Sequence, residues 1–170
     1  QVKDLTKKYI DEITAYRKKL DDFPDDIIAD CQHGMLLKKK YKDSLTLTMN
    51  TDGVKIFNSV KNTAWPVQLV LNDLPPDIRF SFDNRILASV YYGKKEPDMN
   101  VFLTPFVKTM KELQTEGINF ELSDGSMFKK TVKLAICTCD TQAKPKVMKM
   151  KKFNGFFGSP YCYNKGVTLP

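Results

Sequence analysis

The stretch Ser44-Leu45-Thr46-Leu47-Thr48-Met49-Asn50 alternates strictly between polar and apolar side chains. A period of two, in residues that suit a pleated and half-buried surface, predicts a β-strand. It marks the point where helical spacing gives way to sheet. The strand closes on Thr51-Asp52-Gly53, which is turn chemistry.

Working downstream, Trp65-Pro66-Val67-Gln68-Leu69-Val70-Leu71-Asn72 reads as a second strand, with Pro66 near its start where a missing N–H is tolerated. Leu74-Pro75-Pro76 breaks it. Ile86-Leu87-Ala88-Ser89-Val90-Tyr91-Tyr92 is a third apolar strand, closed by Gly93. A helix then begins with Thr104 as N-cap and Pro105 at the first helical position. Phe106, Val107, Met110 and Leu113 form its apolar face, and Gly117 ends it. Beyond Phe120-Glu121-Leu122 and the turn Ser123-Asp124-Gly125-Ser126, residues 131–139 read as a buried strand ending at Asp140. Upstream, Val2, Leu5, Tyr9, Ile10, Ile13, Tyr16 and Leu20 recur at helical spacing. Asp21-Asp22-Phe23-Pro24-Asp25 interrupts them, and Asp25 or Asp26 caps a short second helix running toward Leu37.

Three consecutive strands, a helix and a further strand suit a meander followed by a crossover to a parallel neighbour. The expected fold is therefore α/β, a mixed sheet with helices packed on it. It resembles the RNase H-like order β-β-β-α-β, incomplete here and preceded by short N-terminal helices. Residues 1–43 form an N-terminal helical segment and residues 44–170 a partial core with a basic C-terminal segment.

The chain has 170 residues, of which 42% are hydrophobic and 28% charged, as in an ordinary globular domain. No apolar run approaches the ~18 residues of a membrane span. The opening residues are charged and amphipathic, so the expected location is intracellular, not secreted. Four cysteines are too sparse for a disulfide scaffold and read as reduced thiols. With His33 the only histidine, chemistry needing two is excluded. Lys and Arg exceed Asp and Glu by seven, and six of that excess fall in residues 141–170, which contain no acid. An asymmetric basic segment favours a polyanionic partner, and a solvated lysine-rich loop is the plainer alternative.

Asp52 and Asp140 each follow a strand, and ligands gather where the strands of such sheets end. If those strands are neighbours the carboxylates converge, and a divalent cation relieves their repulsion. Two such ions activate a water or 3′-hydroxyl and stabilise the leaving oxygen of a phosphodiester. The alternative is that both are ordinary turn and strand-end aspartates.

Residues 50–54 (Asn-Thr-Asp-Gly-Val), 65–76 (Trp-Pro-Val through Asn-Asp-Leu-Pro-Pro), 97–106 (Pro-Asp-Met-Asn-Val-Phe-Leu-Thr-Pro-Phe) and 153–158 (Phe-Asn-Gly-Phe-Phe-Gly) resemble the transposases of CACTA (En/Spm) DNA transposons. The resemblance runs from about Asp30 to the C-terminus. It implies a DDE/D catalytic centre in which Asp52 is the first metal-binding acid and Asp140 the second, with Mg²⁺ or Mn²⁺ as cofactor. Gln142 stands where that family usually has proline. No acid follows Asp140 to complete the set, and the expectation is a fragment inactive alone. Glu112, Glu116 and Asp124 are internal acids available as substitutes. DNA is the implied partner, the nucleus the implied location, and a homo-oligomer a feature of the parent enzyme. A second reading is a domesticated module that binds nucleic acid or protein and has lost the chemistry.

The family's C-x-x-C after the Gly-Phe element reads Ser159-Pro160-Tyr161-Cys162 here, so Cys162 is a possible zinc ligand without its companion. Zinc wants four ligands. Cys137 and Cys139 share a strand face, but an extended backbone holds them roughly 7 Å apart. His33 reads as a helix-surface or interface residue. In the tail, Lys144, Lys146, Lys149, Lys151 and Lys152 are expected on DNA phosphates, with Phe153, Phe156 and Phe157 mostly in the core.

Overall fold

The computed structural model describes residues 1–24, 26–56, 62–152 and 154–167. Its elements in chain order are α1 (Val2–Lys8), α2 (Ile10–Asp21), β1 (Leu45–Thr51), β2 (Val54–Lys55), β3 (Thr63–Leu71), α3 (Pro76–Arg79), β4 (Ile86–Gly93), α4 (Met99–Thr115), β5 (Ile118–Glu121), β6 (Met127–Lys130), β7 (Val132–Thr138) and α5 (Ala143–Met148).

β4, β3, β1 and β7 lie side by side in one mixed sheet, with β2 also paired to β3. The β1–β3, β2–β3 and β3–β4 pairs are antiparallel, and β1–β7 is parallel. The meander, the crossover through α4 and the parallel return are thus those expected from the pattern. β5 and β6 form a separate hairpin.

One face of the sheet builds the core. Leu45, Leu47 and Met49 of β1 and Val67, Leu69 and Leu71 of β3 cluster there with Phe106 and Met110 of α4 and Ile13 of α2. Val2, Leu5, Tyr9 and Ile10 pack against the same cluster, so the N-terminal helices share the core. Burying this face supplies the main driving force, ~25 cal/mol per Å² of apolar surface removed from water.

β1 and β2 run along the same edge of β3. The pairing offset is identical in both, so Asp52 and Gly53 fall opposite Pro66 and Trp65. Asn72 N donates to Thr46 O, which fixes the direction in which alternate residues of β3 face β1. By that alternation Pro66 faces Asp52, and it has no N–H to give. The ladder breaks there. Pro66 is the fourth residue of β3, near its start as expected, and it stands at an interruption that its chemistry demands.

Other expectations are corrected. Helix α4 begins at Met99, capped by Asp98, whose carboxylate accepts Asn100 N at 2.9 Å. Thr104 is inside the helix, bonded to Asn100 O, and Pro105 is an interior residue. The Asp98 cap outcompetes Thr104 because the four residues before Thr104 are helix-compatible and Met99 and Phe102 have a core to join. The short second helix toward Leu37 is instead a 3₁₀ turn, Cys31–His33, capped by Asp30, followed by a π-helical turn, Leu36–Lys40. Asp26 caps neither, and Asp25 lies outside the described residues. The strand expected over 131–139 is β7, and β6, Met127–Lys130, is a further strand just before it. No helix among the described residues is long and apolar enough to cross a membrane.

Candidate functional site

The parallel pair β1–β7 carries the site. Its register runs Leu45–Val132, Thr46–Lys133 and Leu47–Leu134, then shifts so that Thr48 meets Ile136, Met49 meets Cys137 and Asn50 meets Thr138. Ala135 is the extra residue. The ladder ends at the Asn50–Thr138 pair, and Asp52 and Asp140 follow it at the same count along their two chains. Asp52 and Asp140 thus each lie two residues past the last pair of two neighbouring parallel strands, at their C-terminal ends.

Each carboxylate is anchored through one oxygen. Asp52 Oδ1 accepts Gly53 N at 2.6 Å. Asp140 Oδ1 accepts Gln142 N at 2.9 Å and Ala143 N at 2.5 Å, the residue before α5 and the first residue of it. Among the described residues no ion pair engages either acid. Gly53 is required where it stands: a Cβ there would lie 2.6 Å from two atoms of the Trp65 indole. Trp65 is buried against Met99 and Ala143, so it ties the Asp52 turn to the start of α4 and to α5. Lys146 lies over the indole, 5.2 Å from its centroid, and bonds to Glu96.

Polar contacts lock the strands below the acids. Asn50 Nδ2 donates to Thr138 O at 3.1 Å, joining β1 to β7 one turn of the pleat beneath the pair. Thr48 Oγ1 donates to Asn72 Oδ1 at 2.7 Å. Asp73, fully buried, accepts Thr46 N at 2.8 Å and is paired with Arg17. Arg79 donates to Leu74 O at 3.0 Å and to Asn72 O at 2.6 Å, and pairs with Asp30 at 2.9 Å. The Asn72-Asp73-Leu74-Pro75-Pro76 string is therefore a clamp that fixes β1 against β3. Burial pushes the Asp30 carboxyl up, but hydrogen bonds from Arg79 and Gln32 N outweigh it and hold the group below the ordinary aspartate range. Burial, then the Asp30 charge, pushes the Tyr16 phenol up to about 12, and burial, then the hydrogen bond to Asp30, pushes the Cys31 thiol up to about 11.

The substitute acids are not brought to the strand ends. Helix α4 starts beside Trp65 and finishes where Lys133 Nζ donates to Gln114 O, near the start of β7. Glu112 and Glu116 are thus at the far end of the sheet. Asp124 sits at the tip of the β5–β6 hairpin, bonded to Ser126. Among the described residues, no three His, Cys, Asp or Glu side chains cluster in a metal-holding arrangement.

His33 clasps two segments: Nδ1 accepts Ala29 N at 3.0 Å, which leaves Nε2 to donate to Leu20 O at 3.0 Å. Its ring packs edge-on to Phe23. Cys162 Sγ contacts Ser159 Oγ at 3.3 Å. Cys137 and Cys139 are closer than a rigid strand implies, with sulfurs 3.7 Å apart, because the side chains lean together. The tail lysines divide. Lys144 bonds Tyr161 and lies over its ring, and Lys146 is engaged as above, whereas Lys149, Lys151 and Lys152 are exposed. Phe156 and Phe157 are half exposed, not core, since the tail wraps on itself through Phe157 N to Lys165 O instead of entering the sheet. Phe153 lies outside the described residues. The Asp98 cap and the Arg79 clamp escaped sequence reading. The Asp-Met-Asn triplet at the helix start was the available signal for the first, and the second had none.

The chain belongs to the transposase family tnp2, whose sequence model matches residues 29–169. No curated protein and no solved structure matches it.

Proposed function

We propose that this chain is the part of a cut-and-paste DNA transposase of the CACTA kind that carries the first two metal-holding acids. The sheet order β4-β3-β1-β7 supports an RNase H-like reading. The observation that carries the proposal is the parallel β1–β7 pairing, past whose last pair Asp52 and Asp140 each follow by two residues. Paired carboxylates are a hard oxygen donor set and suit Mg²⁺ or Mn²⁺. Asp52 and Asp140 would hold such an ion, which when bound supplies activation of a water or 3′-hydroxyl and neutralises charge at a phosphodiester. Gly53 and Trp65 set the position of Asp52, and the start of α5 sets that of Asp140. Lys149, Lys151 and Lys152 would contact DNA phosphates, which positions a strand without reading its sequence. The nucleus is the corresponding location.

The test is Mn²⁺ titration of the folded chain, followed by calorimetry or paramagnetic relaxation, with Asp52→Asn and Asp140→Asn. At least tenfold weaker binding is expected in each variant. Unchanged affinity in both removes the pair from the metal role.

A second reading is a domesticated module that binds nucleic acid or protein without chemistry. The use of Asp140 Oδ1 as an acceptor for Gln142 N and Ala143 N, and the remote positions of Glu112, Glu116 and Asp124, favour it. Salt-sensitive DNA binding with no Mn²⁺ binding would select it.

A further inference from the structure

Cys137 and Cys139 occupy alternate positions where β7 ends. Their sulfurs are 3.7 Å apart. Cys137 is exposed and Cys139 half-buried, and both are free thiols. Among the described residues β7 pairs only with β1, so its other edge is open. The last ladder pair is Asn50–Thr138, which leaves Cys139 as the first residue beyond the clamp of the sheet. Alternate residues of a strand have Cα atoms ~6.6 Å apart, at the upper end of what a disulfide spans. Bond formation brings the sulfurs to ~2.05 Å. The remaining approach falls to Cys139, whose backbone the ladder does not hold.

We propose that Cys137 and Cys139 are a reversible dithiol–disulfide pair, closed by exchange with a small soluble disulfide of the oxidised-glutathione class. The exposed Cys137, as thiolate, attacks one sulfur of that disulfide. The disulfide bond breaks, one small thiolate leaves, and a mixed disulfide remains on Cys137. Cys139 gives up its proton and attacks Cys137 Sγ, expelling the second small thiolate. The protein pair loses two electrons and two protons, and the small disulfide becomes two thiols. The other cysteines have different surroundings. Cys31 Sγ is bonded to Asp30, and Cys162 contacts Ser159 and not a second thiol. This inference does not depend on the transposase reading.

The experiment equilibrates the full folded chain with mixtures of reduced and oxidised glutathione, alkylates the remaining thiols, and maps tryptic peptides by mass. Peptide 134–146 carries both cysteines. In the wild type it should be two hydrogens lighter and carry neither alkyl group nor glutathione. In Cys139→Ser it should retain one glutathione on Cys137. Cys162, which is exposed and outside the pair, should carry glutathione in both chains and reports that the reagent acted. Circular dichroism checks that the variant is folded, and Cys139→Ala replaces it if not. The proposal is overturned if wild-type Cys137 holds glutathione without closing. It is equally overturned if both thiols stay alkylatable where Cys162 is fully modified, or if Cys137 crosslinks to Cys162.

Discussion

Trp65 closes over Gly53, leaving less than an atom's width between the indole and the space a side chain would need. Gly53→Ala should therefore displace the ring or the turn. The cost is expected at about 1–3 kcal/mol, the range for overpacking a core. Trp65 is the chain's only tryptophan, so its emission reports the change directly. A red shift with a lower urea midpoint is expected. An unaltered spectrum and midpoint would mean that the turn has room after all.

Asp140 has two jobs that chemistry separates. Asparagine keeps a side-chain oxygen for Gln142 N and Ala143 N, whereas alanine does not. Asp140→Asn should retain stability, and Asp140→Ala should lose about 1 kcal/mol as the hydrogen bonds to Gln142 N and Ala143 N are removed. Both should weaken Mn²⁺ binding. Equal stability of the two variants in urea unfolding would refute that anchoring role.

The Asp30–Arg79 pair gives an acid dependence. Its folded-state carboxyl titrates below the ordinary aspartate value of 3.8, so it binds fewer protons when folded than when unfolded. Its stabilisation is present above the unfolded value and is lost as pH falls through the folded one. Stability should decline below about pH 4. Asp30→Asn should flatten that decline. It should also cost about 3–5 kcal/mol near neutral pH, because it strands the buried Arg79 charge. Urea titrations at several pH values check both.

Lys149→Gln, Lys151→Gln and Lys152→Gln together should weaken DNA binding alike for all sequences. Each phosphate left without its lysine should reduce the slope of log K against log salt by about 0.9 on duplex DNA. Lys144→Gln should change it less, since its ammonium is already bonded to Tyr161 and lies over that ring. Fluorescence anisotropy across a salt series decides between them.

Much of the sheet was legible. Alternation at 44–50 and the apolar runs at 66–71, 86–92 and 131–139 are local signals, and each lies in or overlaps a strand of one sheet. Helix boundaries were less so, because Thr104 is a good cap in isolation and only the core available to Met99 and Phe102 prefers Asp98. The site was legible as two acids after two strands. Their adjacency was not, since it depends on pairing between strands far apart in the chain. The Arg79 clamp is a tertiary contact with no periodic trace, and the burial of Asp73 follows from a partner, Arg17, on another element.

Ala135 has no partner across the ladder, and that single surplus residue is a reserve of length. Before it, β7 and β1 are matched at one offset, and after it at the next. Had the first offset simply continued, Cys139 would stand beside Asp52, and Asp140 would turn to the opposite side of the sheet. The convergence of the two acids is thus a matter of counting, and the strand holds one residue more than the count requires. Loss of any one residue from 135 to 139 is absorbed by straightening the strand, and the acids stay together. Loss of a second has nothing left to draw on and parts them. A lineage that forfeits one codon here keeps the two acids in step, and the next costs it that match.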